Sequence, residues 1–149
     1  MHRTARRVQE RLAERGLQVE VRELPDSTRT AAEAAAAIGC EVGQIVKSLV
    51  FVSGDEPVIV LCAGDRQVDA ARLGLARADA DTAREATEFA VGGIPPLGHD
   101  RELRTIVDES LRRFDVVWAA AGTGHAVFSA RTEALLAAIP RAEIIAVSP

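Results

Sequence analysis

Ile45-Val46-Lys47-Ser48-Leu49-Val50-Phe51-Val52 is followed by Ser53-Gly54-Asp55-Glu56 and then by Pro57-Val58-Ile59-Val60-Leu61-Cys62-Ala63. Two apolar, β-branched runs on either side of a short polar turn predict a hairpin with buried strands. One residue interrupts the pattern. Lys47 is the only lysine beside 17 arginines. Arginine is a wide, planar fork that stays charged, whereas lysine is a compact ammonium on a thin stem. A site that needs a narrow donor explains why one lysine persists where arginine serves everywhere else. Strand alternation puts Lys47 on a face with Ile45, Leu49 and Phe51, and Ser48 on the other with Val46 and Val50. Two readings are open: an edge-strand lysine that discourages aggregation, and a functional lysine in an interior strand.

Working outward, Thr4 to Arg15 carries Ala5, Val8 and Leu12 at helical spacing, with Gly16 as its stop. Gln18 to Leu24 alternates as a strand does, and Pro25-Asp26 ends it. Thr30 to Ile38 is an alanine-rich helix closed by Gly39. Beyond the hairpin, Gly64-Asp65-Arg66-Gln67 opens a loop and Val68 to Leu73 is read as a short helix. Thr82 with Glu85 reads as a capping box for a helix to about Glu88. Val91 to His99 is a Gly/Pro loop. Strands are expected at Thr105 to Asp108, Val116 to Ala120, His125 to Ser129 and Ile144 to Val147. Helices are expected around Glu109 to Arg113 and over Thr132 to Ala138. Strands and helices mix without strict βαβ alternation, which is the pattern of one α+β domain over residues 1–149.

At 149 residues, 48 % apolar and 27 % charged, the chain has the composition of a globular protein with a real core. No apolar run reaches the roughly 18–20 residues of a membrane span. Cys40 and Cys62 show neither metal nor disulfide spacing, so a cytoplasmic location is expected. A net charge of −4 argues against indiscriminate nucleic-acid binding, DNA included. Residues 1–22 nevertheless hold Arg3, Arg6, Arg7, Arg11, Arg15 and Arg22 against Glu10, Glu14 and Glu20. Any RNA contact is therefore local.

Two further segments could carry chemistry. Gly92-Gly93-Ile94-Pro95-Pro96-Leu97-Gly98-His99 offers N–H groups at Gly92, Gly93 and Ile94 in a loop stiffened by proline. Such a loop is either a structural turn or a receptor for a carbonyl oxygen. Ala119-Ala120-Ala121-Gly122-Thr123-Gly124-His125 brings small residues up to a histidine, which is either hydrogen-bonded structure or part of a site. No metal-ligand spacing includes the histidines.

Together these segments resemble the YbaK/EbsC family, free-standing relatives of the editing insertion domain of bacterial prolyl-tRNA synthetases. The resemblance runs over roughly Asp26 to Val147. It rests on Thr28-Arg29-Thr30-Ala31, Gln44 to Phe51, Gly92-Gly93-Ile94-Pro95-Pro96 as a G-x-x-x-P loop, and Ala121 to Phe128. It implies a mixed α/β fold with a curved, barrel-like, mostly antiparallel sheet surrounded by helices. It also implies a trans-editing deacylase that hydrolyses the ester of a mischarged small amino acid at the 3′ end of tRNA, with tRNA-Pro as the expected carrier and prolyl-tRNA synthetase as a possible partner. Lys47 would be the essential lysine and Gly92, Gly93, Ile94 and Pro95 the carbonyl-holding loop. His125 would line the pocket, with Thr30 and Asp65 near it. Gly124 stands where many relatives have proline. An aminoacyl ester is already activated, so no metal or cofactor is expected. The alternative is a non-catalytic module that binds an aminoacyl group and docks on a synthetase.

Overall fold

The computed structural model describes residues 1–26, 28 and 30–148. Its helices are α1 (Arg3–Glu14), α2 (Ala31–Ile38), α3 (Ala80–Thr87) and α4 (Thr132–Ala138). Its strands are β1 (Arg22–Glu23), β2 (Ile45–Ser53), β3 (Glu56–Ala63), β4 (Ala76–Arg77), β5 (Arg104–Asp108), β6 (Val116–Ala120), β7 (Ala126–Arg131) and β8 (Ala142–Ile145). The hairpin forms as read: β2 and β3 pair from Val46↔Ala63 to Ser53↔Glu56, around a turn at Gly54-Asp55. The sheet runs β1-β7-β6-β2-β3-β5-β8, with β4 paired to β2 beside the main path. Lys47 therefore lies in a central strand, and the edge-strand reading falls.

Four pairings are antiparallel (β1/β7, β2/β3, β2/β4, β6/β7) and three are parallel (β2/β6, β3/β5, β5/β8). Among the described residues no pairing joins β1 to β8, so the sheet is open. Both faces are buried, which is why its strands read as unbroken apolar runs. On one face Val46, Val50, Ile59, Leu61 and Phe128 pack with Ala5, Val8 and Leu12 of α1 and Leu135 of α4. On the other, Phe51, Val58, Val60, Cys62 and Ile106 form a second cluster. The alternation of β2 is thus realised on both sides.

Several boundaries move, each for a local reason. Within Gln18 to Leu24 only Arg22 and Glu23 pair with a strand, and the Val21 N–H donates instead to the Gln9 side chain. Val68 to Leu73 forms turns rather than a helix, because Val68, Ala70 and Leu73 cover the second cluster. Asp79, not Thr82, caps α3, accepting the Thr82 N–H at 2.7 Å. No described helix is long and apolar enough to cross a membrane.

His99 ends the Gly/Pro loop in a buried position, its Nε2 2.8 Å from the Pro95 carbonyl and its ring edge-on to Phe89. Burial pushes its pKa down to about 4, against the bond to Pro95, with Arg15 and Arg11 adding to the fall. The neutral ring is the folded form, so the unfolded chain binds the extra proton. Stability from this group is complete above pH 6.5 and is lost as pH falls towards 4, by up to about 3 kcal/mol. Denaturant midpoints measured across that window should fall less steeply in His99→Gln than in the wild type. Parallel curves would remove His99 as the cause.

Candidate active site

The parallel ladder between β2 and β6 is short, Ile45↔Trp118 and Val46↔Ala119. Beyond it the strands part, and β2 next meets β4 at Phe51↔Arg77. A cavity of about 510 Å³ opens in this gap. Helix α2 supplies one wall through Ala31, Ala34 and Ile38, where small side chains leave room. Trp118, Val127 and Ile94 supply apolar wall, and Val91 stands exposed at the rim. The size suits a small ligand, and the lining is mostly apolar with few polar groups.

Among the described lining residues Lys47 is the only charged side chain, and none of them is a carboxylate or a histidine. Strand geometry fixes its stem between Ile45 and Leu49, opposite Cys62. Its ammonium donates to the Arg66 carbonyl in the loop after β3. That loop is tied down through Asp65, whose carboxylate accepts from both terminal nitrogens of Arg113 at 2.8 and 3.0 Å. The Arg113 guanidinium holds the Asp65 carboxyl below its ordinary range. Burial pushes the Cys62 thiol up to about 11 despite the neighbouring Lys47 ammonium, so it is a packing group and not a nucleophile.

The glycine loop lines the cavity through Gly92 and Ile94. Gly92 has φ +97°, a conformation that disfavours any side chain. Its N–H and that of Ile94 have no partner among the described residues. Gly93 differs from the sequence reading. Its N–H is spent on the Ala90 carbonyl at 3.0 Å, and its carbonyl accepts from Gly122 at 2.8 Å. A Cβ at Gly93 would stand 2.8 Å from the Gly122 oxygen, so this glycine lets two loops touch.

The structure brings Lys47, Gly92, Ile94 and Thr30 to one cavity. Thr30 also caps α2, its hydroxyl accepting the Glu33 N–H at 3.1 Å. Gly93, Pro95, Asp65 and His125 stand apart from the lining. Pro95 is buried with its carbonyl on His99, and His125 is exposed, its own carbonyl accepting from Leu24. Sequence reasoning passed over Trp118, Ser48 and Val91. Trp118 had a signal, as the only tryptophan of the chain.

Ser48 had none. Its Oγ is buried without a hydrogen-bond partner, and no other buried side-chain N or O among the described residues shares that state. An unmade buried hydrogen bond costs about 1–3 kcal/mol. Ser48→Ala should therefore hold or raise the unfolding free energy, by up to about 1 kcal/mol. A clear loss in a denaturant titration would show that the hydroxyl is paired.

Comparison with known proteins places the chain among its relatives. The sequence pattern of the aminoacyl-tRNA editing domain matches residues 25–138. A crystal structure described as a candidate trans-editing enzyme for prolyl tRNA synthetase superposes with a TM-score of 0.92 at 45% identity, covering 100% of this chain and 99% of that one. YwhH of Bacillus subtilis (strain 168), described as uncharacterized, is 30% identical over 111 residues, 70% of this chain and 71% of its own length. The proline–tRNA ligase of Lactobacillus gasseri is 32% identical over 76 residues, 46% of this chain but 14% of the ligase. The chain belongs to the family of aminoacyl-tRNA editing domains.

Proposed function

We propose that the protein is a trans-editing deacylase that hydrolyses the ester between a mischarged small amino acid and tRNA, with tRNA-Pro as the carrier. The observation that carries this reading is one cavity whose described lining holds a lone ammonium, no other charged side chain and two N–H groups without a partner among the described residues. Its volume accommodates a terminal nucleoside bearing a small acyl group. Similarity to a proline–tRNA ligase and to a protein described as a candidate trans-editing enzyme for prolyl tRNA synthetase supports the choice of tRNA-Pro.

The reaction needs little from the protein. Water adds to the acyl carbon, the bond to the ribose oxygen breaks, that oxygen takes a proton, and the amino acid leaves as a carboxylate with release of one proton. In this reading the Gly92 and Ile94 N–H groups share the charge that develops on the acyl oxygen. Donors of this kind are worth about 3 kcal/mol each where they have been removed. Lys47 anchors the ribose or its phosphate, or orients the water. No described lining side chain is a carboxylate or histidine base, so a hydroxyl of the terminal ribose is the natural group to assist the attack. Holding the water and the ester together supplies much of the remaining acceleration.

The test is deacylation of tRNA-Pro charged separately with alanine, cysteine, serine, threonine and proline. Hydrolysis of one or more non-cognate esters with prolyl-tRNA spared is the expected result. Indifference to every ester, with the free nucleoside analogue still bound, would make the protein a binding module.

A further inference from the structure

The main-chain groups of a strand residue point to one side, and those of its neighbours to the other. Within β2 two hydrogen bonds fix which is which. The Ile45 carbonyl accepts from Gly64 at 2.8 Å on the β3 side, and the Val50 carbonyl accepts from Ala78 at 3.2 Å on the opposite side. The β2/β3 register is unbroken from Val46 to Ser53, so no bulge resets the alternation. Val46, Ser48 and Val50 therefore all aim their N–H and C=O away from β3. Val46 meets β6, at Ala119, and Val50 meets the segment of β4. Ser48 lies between them, in the wall of the cavity. The β6 ladder ends at Val46 and the β4 pairing covers Phe51 and Val52, so neither reaches Ser48, and no other described residue bonds its N–H or C=O.

We infer that the open peptide unit of Ser48 binds the α-aminoacyl group of the substrate, pairing with it as one residue pairs with another across a β-bridge. In such a bridge each residue gives an N–H and takes one at its carbonyl. An α-aminoacyl ester carries the complement on adjacent atoms: an amine that donates to the Ser48 carbonyl, and an acyl oxygen that accepts from the Ser48 N–H. The acyl oxygen has a second lone pair, which stays open to the glycine loop. A simple acyl ester has only half of this pattern. The described lining holds no carboxylate that could take the amine in place of the Ser48 carbonyl. The required substrate class is thus an ester with a free α-amine. The contact ignores the side chain, so selection by size is left to walls such as Ile94, Ala119 and Val127.

This inference rests on the deacylase reading of the cavity, and its test separates the two. The probes are 3′-alanylamino-3′-deoxyadenosine, whose amide resists hydrolysis, and its propionyl counterpart, which lacks only the amine. Titrated into ¹⁵N-labelled protein, the alanyl compound should bind at least about tenfold more tightly, the cost of leaving a buried acceptor unpaired. Both should move the Ser48 amide proton downfield. Equal affinity, a stationary Ser48 amide, or no binding of either compound at millimolar concentration would overturn the inference. Ser48→Pro deletes the gap-facing N–H and leaves the ladder to β3 intact. It should weaken both compounds by a similar factor, and unchanged affinity would count against the pairing. Hydrolysis of alanyl-tRNA without an alanyl preference sinks this inference alone. A preference without hydrolysis of any ester sinks the deacylase reading alone.

Discussion

Lys47→Arg is expected to lose at least about a hundredfold in kcat/KM for deacylation, nearly as much as Lys47→Ala, a loss of about 2.7 kcal/mol in transition-state stabilisation. Charge is kept in the arginine variant, so charge is not what fails. The stem of Lys47 is confined between Ile45 and Leu49, and its ammonium already meets the Arg66 carbonyl. A guanidinium is broader than an ammonium and carries its donors in a fixed plane. It would displace either the Arg66 loop or the ligand. Thermal unfolding should shift little in either variant, which ties the loss to the site. Near-normal turnover by the arginine enzyme would end the argument for a compact donor.

Gly64→Ala is expected to give the largest loss of stability of any single methyl added at the site. A Cβ at Gly64 would stand 2.3 Å from the Val42 carbonyl oxygen and 2.8 Å from the Ala31 Cβ. One is backbone and the other the first atom of a helix side chain, so neither can swing away. Overpacking of this kind costs about 3 kcal/mol, or a fall of about 10 °C in Tm for a chain of this size. The displacement also pushes α2 against the cavity, so activity measured below the transition should fall as well. Gly54→Ala is the comparison. It has open space around it and only its φ of +61° to oppose a side chain, so about 1 kcal/mol is expected. Equal losses at the two glycines would mean that the Val42 contact relaxes freely.

The hairpin and the lysine were legible because a buried strand has a pattern that a charge visibly breaks. Helix α2 was legible from its alanines and Gly39, and α4 from its flanking strands. Contacts between distant segments were not. The strand pattern of Gln18 to Leu24 gives no hint that Gln9 would claim the Val21 N–H. Nor does Gly92-Gly93-Ile94 reveal that its middle N–H is spent on Ala90, while the outer two have no partner among the described residues. The resemblance placed His125 at the pocket, whereas the turn at Gly122-Thr123-Gly124 carries it to the surface. Ser48 was seen only as the residue facing away from Lys47. Its importance comes from where β6 stops, which no local pattern encodes.

That early stop of β6 has a consequence for dynamics. Two rungs of parallel ladder are all the pairing that joins β2 to β6, so the middle of the sheet is held by no more rungs than its edge between β1 and β7. Local opening follows the weakest pairing, and amide protons along Trp118 to Ala120 should exchange with solvent sooner than those of the β2/β3 hairpin. An acyl group docked on Ser48 would add a rung where the chain supplies none. The substrate would then act as a removable stitch, and its departure as product would leave the seam free to breathe.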